Sequence, residues 1–214
     1  MSFAAQTERG SSSAPLDILH AVAHELRQPL SNIESIAYYL GLLLPHADET
    51  VHQQLAHIRE LIEQSNWILS SGLNLVTPPR GSSELVDLEE IVRESITAHC
   101  FSSPRRYNLE LAGLPPLQLD PGLARAIVDS LTILSQQIAS GSGPVTIRTR
   151  SLPQSRVLLE ISTEPSRQPE ASLGPGCALA IASVRQMTEA HGGRLDCSIN
   201  SSAGIRIQAI LAET

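Results

Sequence analysis

The stretch with the clearest chemical potential is HAVAHELRQPLSNIES, residues 20–35, in which a histidine is followed directly by a carboxylate. A neutral imidazole is a nucleophile near neutral pH, because its ordinary pKa is about 6.5. An adjacent carboxylate can keep one ring nitrogen protonated while the other attacks phosphorus. The product is a phosphoramidate, labile enough to pass its phosphoryl group on. These residues predict His24 as a phosphate acceptor and Glu25 as the group that orients the ring or acts as its base.

The residues after Glu25 continue this polar strip, with Arg27 and Gln28, and then reach Pro29. A proline inside a helix removes one backbone hydrogen bond and leaves the carbonyl of Glu25 without its donor. The helix is therefore expected to be disturbed close to His24.

Two plainer interpretations compete with a reactive histidine. One is an ordinary surface histidine on a bundle helix. The other is a metal site, because His20 and His24 are four residues apart on a helix. The order HxxxHE differs from the HExxH of zinc proteases and no third ligand is indicated, so no metal site is predicted.

A heptad pattern surrounds the histidine and predicts the element that carries it. Apolar or small residues recur at alternating steps of three and four, the signature of a helix packed lengthwise against others. Its members are Leu19, Val22, Leu26, Pro29, Ile33, Ile36, Leu40 and Leu43. His24 falls beside this stripe and is expected to face solvent.

After the turn PHADET, residues 45–50, a second seam follows, and the two predict an antiparallel hairpin of helices roughly 26 residues long. One hairpin cannot bury both seams, whereas two copies can do so as a four-helix bundle. A homodimer is therefore expected. The second seam consists of Val51, Leu55, Ile58, Ile62, Ser65, Leu69 and Gly72 or Leu73.

The remainder of the chain changes period and predicts an α+β domain, in which one mixed sheet is backed by helices. The predicted organisation is a tail at 1–15, the hairpin at 16–76, a linker at 77–83 and the α+β domain at 84–214. Helices are predicted for LVDLEEIVRESITAHC, PGLARAIVDSLTILSQQIA and CALAIASVRQMTEAH. Strands are predicted for YNLELAG, PLQLD, VTIRTR, RVLLEIS, RLDCSIN and IRIQAILA.

Composition excludes several classes of function. The net charge of −7 and an aromatic content of 3% argue against nucleic-acid binding, which requires clustered cations or stacking rings. Three scattered cysteines indicate neither disulfides nor zinc and favour a reducing cytoplasm. No apolar run is long enough to cross a bilayer, so a cytoplasmic protein without membrane insertion is expected.

The string HELRQPL resembles the H-box of sensor histidine kinases in two-component systems, whose usual form is His-Glu-Leu-Arg-x-Pro-Leu. The resemblance implies a dimerisation and phosphotransfer bundle with His24 as phospho-acceptor and response-regulator receiver domains as partners. It also places Gln28 where Thr or Asn commonly positions water for dephosphorylating the regulator.

Residues 84–214 resemble the catalytic and ATP-binding domain of the same kinases, most closely through AHGGRL and the SSAGIRI turn. The nucleotide residues depart from the family pattern. Ser130 and Leu134 stand where asparagines should hold Mg²⁺ and phosphate, and Leu cannot ligate a hard cation. Thr163 stands near the adenine-reading Asp and Pro165 near the first glycine of the following box.

The last glycine box is half kept. Gly174 and Gly176 remain as its remnant, but Cys177-Ala178 replaces the expected Leu-Gly. These departures predict a degenerate ATP-binding domain without a nucleotide cofactor.

The prediction is therefore a dimeric histidine phosphotransferase, or pseudo-histidine kinase, that relays phosphate between receiver aspartates through His24. An upstream hybrid kinase is a further partner consistent with this interpretation. Two alternatives stay open: a divergent histidine kinase that does use ATP and Mg²⁺, and a non-catalytic regulatory scaffold in which His24 is unused.

Overall fold

The computed structural model describes residues 14–99, 107–138, 143–163, 174–200 and 204–212. Pro165 and Cys100, both considered from the sequence, lie outside these ranges. The chain divides into two compact units, Met1–Val76 and Thr77–Thr214. The first unit is a pair of helices, and the second combines strands with helices.

The first unit is a hairpin of two long helices, α1 (Ala14–Leu43) and α2 (Glu49–Val76). Asp48 caps α2, since its carboxylate accepts a hydrogen bond of 3.0 Å from the amide of Val51. The helices approach closely where side chains are small: Ala23 and Ala37 on α1 are only 3% and 2% exposed. On α2 the buried residues are Leu55, Ile62, Trp67 and Ser71.

The apolar stripe predicted on α1 is continuous but stays outside the hairpin interface. The large members of that stripe are 36% to 59% exposed in the single chain. A helix turns about 100° per residue, so the stripe flanks the line of alanines that faces α2. The exposed members are Leu19, Val22, Leu26, Ile33, Ile36, Leu40 and Leu43.

The second unit contains a five-stranded mixed sheet in the order β2-β4-β5-β7-β6. The pairs β4–β5, β5–β7 and β6–β7 are antiparallel, while β2 and β4 are parallel. The prediction of a mixed sheet with hairpin connections is confirmed. The strands are β2 (Tyr107–Glu110), β4 (Val145–Leu152), β5 (Arg156–Thr163), β6 (Arg194–Asn200) and β7 (Gly204–Ala212).

Three helices supply the apolar side chains that pack with the sheet: α3 (Leu88–His99), α4 (Pro121–Ile138) and α5 (Pro175–Ala190). After α5 the chain turns at Gly192, whose φ of 72° is the left-handed conformation that glycine adopts without strain. Gly193 admits no side chain, because a Cβ there would lie 2.1 Å from the carbonyl oxygen of Ile210. The core residues exposed by less than 2% include Ile127, Leu131, Leu134, Ile147, Leu159, Met187 and Ile207.

One element differs from the sequence prediction. The sequence predicts that Leu85 and Val86 open the first helix of the domain, but with Glu84 they form a short strand, β1 (Glu84–Val86), antiparallel to β3 (Leu117–Leu119). The helix starts later, at Leu88, because Asp87 caps it by accepting the amide hydrogen of Glu90 at 2.9 Å. The two strands form a small sheet separate from the main one.

Candidate functional site

His24 lies on an exposed face of α1, as predicted from its place beside the apolar stripe. It is two residues from both Val22 and Leu26, which places it about 200° around the helix from each of them. Its neighbour Ala23 is buried toward the interior of the hairpin. His24 is therefore exposed to solvent on a helix whose adjacent residue, Ala23, is buried.

The contact made to the ring comes from Gln28. The side-chain amide nitrogen of Gln28 lies 3.4 Å from Nε2 of His24, one helical turn away. Side chains four residues apart share a helix face, whereas neighbours such as His24 and Glu25 diverge by about 100°. Glu25 is exposed on the next position around the helix, and its predicted role as orienting group stays a prediction.

Arg27 connects the two helices at the level of the histidine. Its Nη2 donates a hydrogen bond of 3.0 Å to Oγ of Ser70 on α2. Pro29 lies inside α1, where it removes the bond that would close the turn containing Arg27. The Arg27–Ser70 bond thus ties α1 to its neighbour where the helix's own bonding is weakened. Sequence reasoning missed Ser70, because only the register of the hairpin places it beside Arg27.

His20, one turn before His24, is also exposed. Within the described ranges, no group of three or more His, Cys, Asp or Glu side chains is arranged to hold a metal ion.

In the second unit, the two positions expected to hold Mg²⁺ and phosphate are occupied by core side chains. Leu134 on α4 is 0% exposed and Ser130 is buried as well. A hard cation needs oxygen ligands, and a hydrocarbon side chain packed in the interior supplies none.

The other expected nucleotide positions within the described ranges either form hydrogen bonds inside the second unit or carry no charged side chain. The hydroxyl of Thr163 accepts a hydrogen bond of 3.3 Å from the amide of Ile205. Gly174 precedes α5 and its carbonyl accepts the amide of Ala178 at 3.1 Å. Cys177 is half-buried in the first turn of α5, and burial raises the pKa of its thiol. Gly176 beside it is half-buried.

The last turn of α4, which follows Ser130 and Leu134, carries no basic residue. Triphosphate and Mg²⁺ require cations, amide donors and oxygen ligands converging on one place. The side chains described at these positions do not fit that group.

Polar residues of α4 next to these positions bind α3 instead. Asp129 lies 3.6 Å from Nε2 of His99. Burial alone would raise the pKa of the Asp129 carboxyl, but hydrogen bonds from His99 and Ser95 and the nearby charges on His99 and Arg125 outweigh it and lower that pKa. This arrangement stabilises the packing of two helices and was not found from the sequence, because its members are 30 to 34 residues apart.

The helical hairpin and the following α/β sandwich define a class: the chain has the fold of the dimerisation and ATPase-type domains of histidine kinases. The Acinetobacter baumannii histidine kinase AdeS matches 89% of this chain and 98% of its own, with a TM-score of 0.56 and 19% identity. A structure of full-length ShkA in complex with AMPPNP matches 92% of this chain and 46% of its own, with a TM-score of 0.60 and 17% identity.

Proteins similar to this chain in sequence are also histidine kinases. The sensor histidine kinase ZraS of Klebsiella oxytoca is 27% identical over 190 residues, which covers 82% of this chain and 41% of the relative. ZraS of Escherichia coli O157:H7 is 26% identical over 201 residues, covering 86% and 43%. The chain thus spans about two fifths of the length of these relatives. No protein-family model matches it.

None of the helices in the described part of the chain combines the length and apolarity needed to span a membrane.

Proposed function

We propose that this chain is a dimeric histidine phosphotransferase that carries phosphate on His24 between receiver aspartates, without loading it from ATP. The observation that carries the proposal is a contrast of positions. His24 is exposed on a helix with its H-box neighbours, while Leu134 is sealed in the core where a Mg²⁺ ligand should stand.

The transfer step needs an accessible imidazole and little else from this chain. An unprotonated ring nitrogen of His24 attacks the phosphorus of a receiver's aspartyl phosphate. A P–N bond forms and the P–O bond to the aspartate breaks, so the aspartate leaves as a carboxylate while the other ring nitrogen keeps its proton until a base accepts it. Gln28 is the group within reach of Nε2, and its amide is suited to orient a water or a phosphoryl oxygen beside the ring. Glu25 is proposed to orient the ring or to act as its base.

Dimerisation is supported by the apolar stripe of α1. Seven large apolar side chains in heptad register are at least 36% exposed in the single chain. Exposed apolar patches of this extent mark interaction sites on soluble proteins. A second hairpin covers such a stripe by knobs-into-holes packing, and the exposed histidines then lie on the outside of the bundle.

The absence of ATP chemistry is supported by the side chains themselves. Leu134 and the buried Ser130 replace oxygen ligands, and Thr163 uses its hydroxyl within the sheet. In this proposal the second unit keeps the kinase fold as a protein-binding domain.

The experiment is an assay of phosphate transfer from receiver domains to the full chain. Receiver domains from the same organism are charged on aspartate with acetyl phosphate and mixed with the wild type, His24→Ala and His20→Ala. We expect base-stable phosphate on the wild type and on His20→Ala, and none on His24→Ala. His20→Ala is the matched control, because His20 is another exposed histidine on the same helix.

Three outcomes contradict the proposal. Phosphate that persists in His24→Ala would place the acceptor elsewhere. Signalling output that is unchanged by His24→Ala in cells would favour the regulatory scaffold. Labelling of His24 by ATP and Mg²⁺ alone would favour the divergent kinase.

A further inference from the structure

The segment that joins the two units, Thr77–Ser83, consists of two chemically different parts. Its first half is Thr77-Pro78-Pro79-Arg80 and its second half is Gly81-Ser82-Ser83. Consecutive prolines fix φ and favour extended polyproline geometry, which rises about 3.1 Å per residue and is semi-rigid. Four such residues span about 12 Å. Glycine and serine would by themselves make the second half flexible.

The second half of the linker is held by a hydrogen bond to Asp120. Asp120 is buried, and its two carboxylate oxygens serve different donors. Oδ1 accepts the amide hydrogen of Leu123 at 3.1 Å and so caps α4. Oδ2 accepts the amide hydrogen of Gly81. One side chain therefore starts a core helix and holds the incoming linker.

The identity of residue 81 fits this contact. A Cβ on Gly81 would lie 3.1 Å from both carboxylate oxygens of Asp120, closer than an ordinary contact. Immediately afterwards the chain enters β1, where Glu84 pairs with Leu119, the residue before Asp120. From Gly81 onward the linker is thus bonded to the base of α4 and to β3.

We propose that Asp120 acts as a clasp that turns the linker from a flexible tether of seven residues into a short strut, Thr77–Arg80. Gly81–Ser83 is thereby bonded to the second unit, and the part of the linker that Asp120 and β1 do not hold is the extended segment Thr77–Arg80. The clasp is a property of the linker and does not depend on the proposed role of His24.

The test is amide hydrogen exchange on the full chain, measured by NMR, with a matched pair of cap variants. In Asp120→Ser, one hydroxyl oxygen replaces two carboxylate oxygens, so it can cap Leu123 but cannot also reach Gly81. Asp87→Ser makes the same change at the α3 cap, where Asp87 accepts the amide of Glu90 and the linker is not involved. We expect exchange at Gly81 to rise about ten-fold in Asp120→Ser, the loss of one net hydrogen bond, and to stay unchanged in Asp87→Ser.

A second variant reaches the same contact without altering the cap. Gly81→Ala crowds the carboxylate while Asp120 still binds Leu123. Trypsin cleaves after Arg80, and we expect cleavage there to accelerate several-fold in both Gly81→Ala and Asp120→Ser but not in Asp87→Ser. The proposal is overturned if Gly81 already exchanges at the rate of an unstructured peptide in the wild type. It is equally overturned if neither variant speeds exchange or cleavage.

Discussion

The two units use apolar side chains in opposite ways. On α1, a stripe of Leu, Ile and Val is largely exposed, and the residues buried against α2 are alanines. In the second unit, the large aliphatic residues of α4 and the sheet are sealed within the single chain. The hairpin is therefore incomplete without a covering surface, whereas the sandwich satisfies its own core.

The polar residues follow the same division. In the hairpin, His24, Glu25 and Gln28 are exposed. In the second unit, Glu89, Asp120 and Thr149 are buried and bound to groups of their own chain. In the proposed function the hairpin is the unit that reacts with other molecules, and the substitutions below test this difference between the two units.

The largest effect is expected from the apolar stripe. Leu26→Asp with Ile33→Asp should dissociate the dimer completely, because each buried, unpaired carboxylate costs several kcal/mol. Light scattering should change from twice the mass of the single 23.0 kDa chain to once that mass. The control, Asn32→Asp, alters an exposed polar position of the same helix and should leave the dimer intact. A wild type that is already monomeric at micromolar concentration would show that the apolar stripe of α1 is not a dimer interface.

The next effect is expected in the core of the second unit. Leu134→Asn introduces the side-chain type expected of a nucleotide site, but at a position with 0% exposure. Loss of packing and a buried amide should lower the free energy of unfolding by about 3–5 kcal/mol. Urea unfolding of the full chain measures this loss. Leu85→Asn, at a position 70% exposed, should change it by less than about 0.5 kcal/mol. A stable Leu134→Asn that binds ATP would mean that this position faces a nucleotide site.

A smaller loss is expected at the buried carboxylate of Glu89. Oε1 of Glu89 accepts hydrogen bonds from the hydroxyl of Thr149 at 2.6 Å and from the amides of Gly113 and Leu114 at 3.1 and 3.3 Å. Glu89→Ala leaves the buried hydroxyl of Thr149 without its acceptor and frees two part-buried amides that water can reach, so it should cost about 1–3 kcal/mol. The same substitution at the exposed neighbour Glu90 is the control. Equal midpoints for both variants in urea would show that these bonds contribute little.

The smallest effect is the acid sensitivity of the α3–α4 contact. The folded-state pKa of Asp129 lies below its ordinary 3.8, so its contribution is present above that value and is lost as pH falls through the lowered pKa. Asp129→Asn should destabilise the chain by no more than about 1 kcal/mol near neutral pH, since the pair is partly exposed and screened by water. The difference from wild type should shrink below about pH 4. A difference that grows on acidification would have the wrong sign.

Much of the fold follows from patterns that the sequence displays directly. Heptad steps predicted the hairpin because a long helix repeats its environment at every turn. Alternation predicted β4, β5 and β7 because their inward and outward faces differ in burial. The β1 strand was missed since three residues give too short a pattern, and its pairing with β3 spans more than thirty residues.

The site was predictable only in its local part. His24, Arg27, Gln28 and Pro29 share one short string, so their place on a helix was accessible from spacing. Ser70 enters through the register of two helices, and no local signal announces it. The contact to the His24 ring also comes from Gln28 and not from the adjacent carboxylate, since helix geometry favours the fourth neighbour over the first.

The proposal that His24 carries phosphate not loaded from ATP is tested most directly by determining which donor phosphorylates His24. The full chain is incubated in parallel with a small phosphoramidate donor and with ATP and Mg²⁺, and the site and stoichiometry of the phosphate are read by tandem mass spectrometry at alkaline pH. We expect phosphate on His24 from the small donor and none from ATP. Phosphate on His24 from ATP alone, lost in His24→Ala, would contradict the proposal.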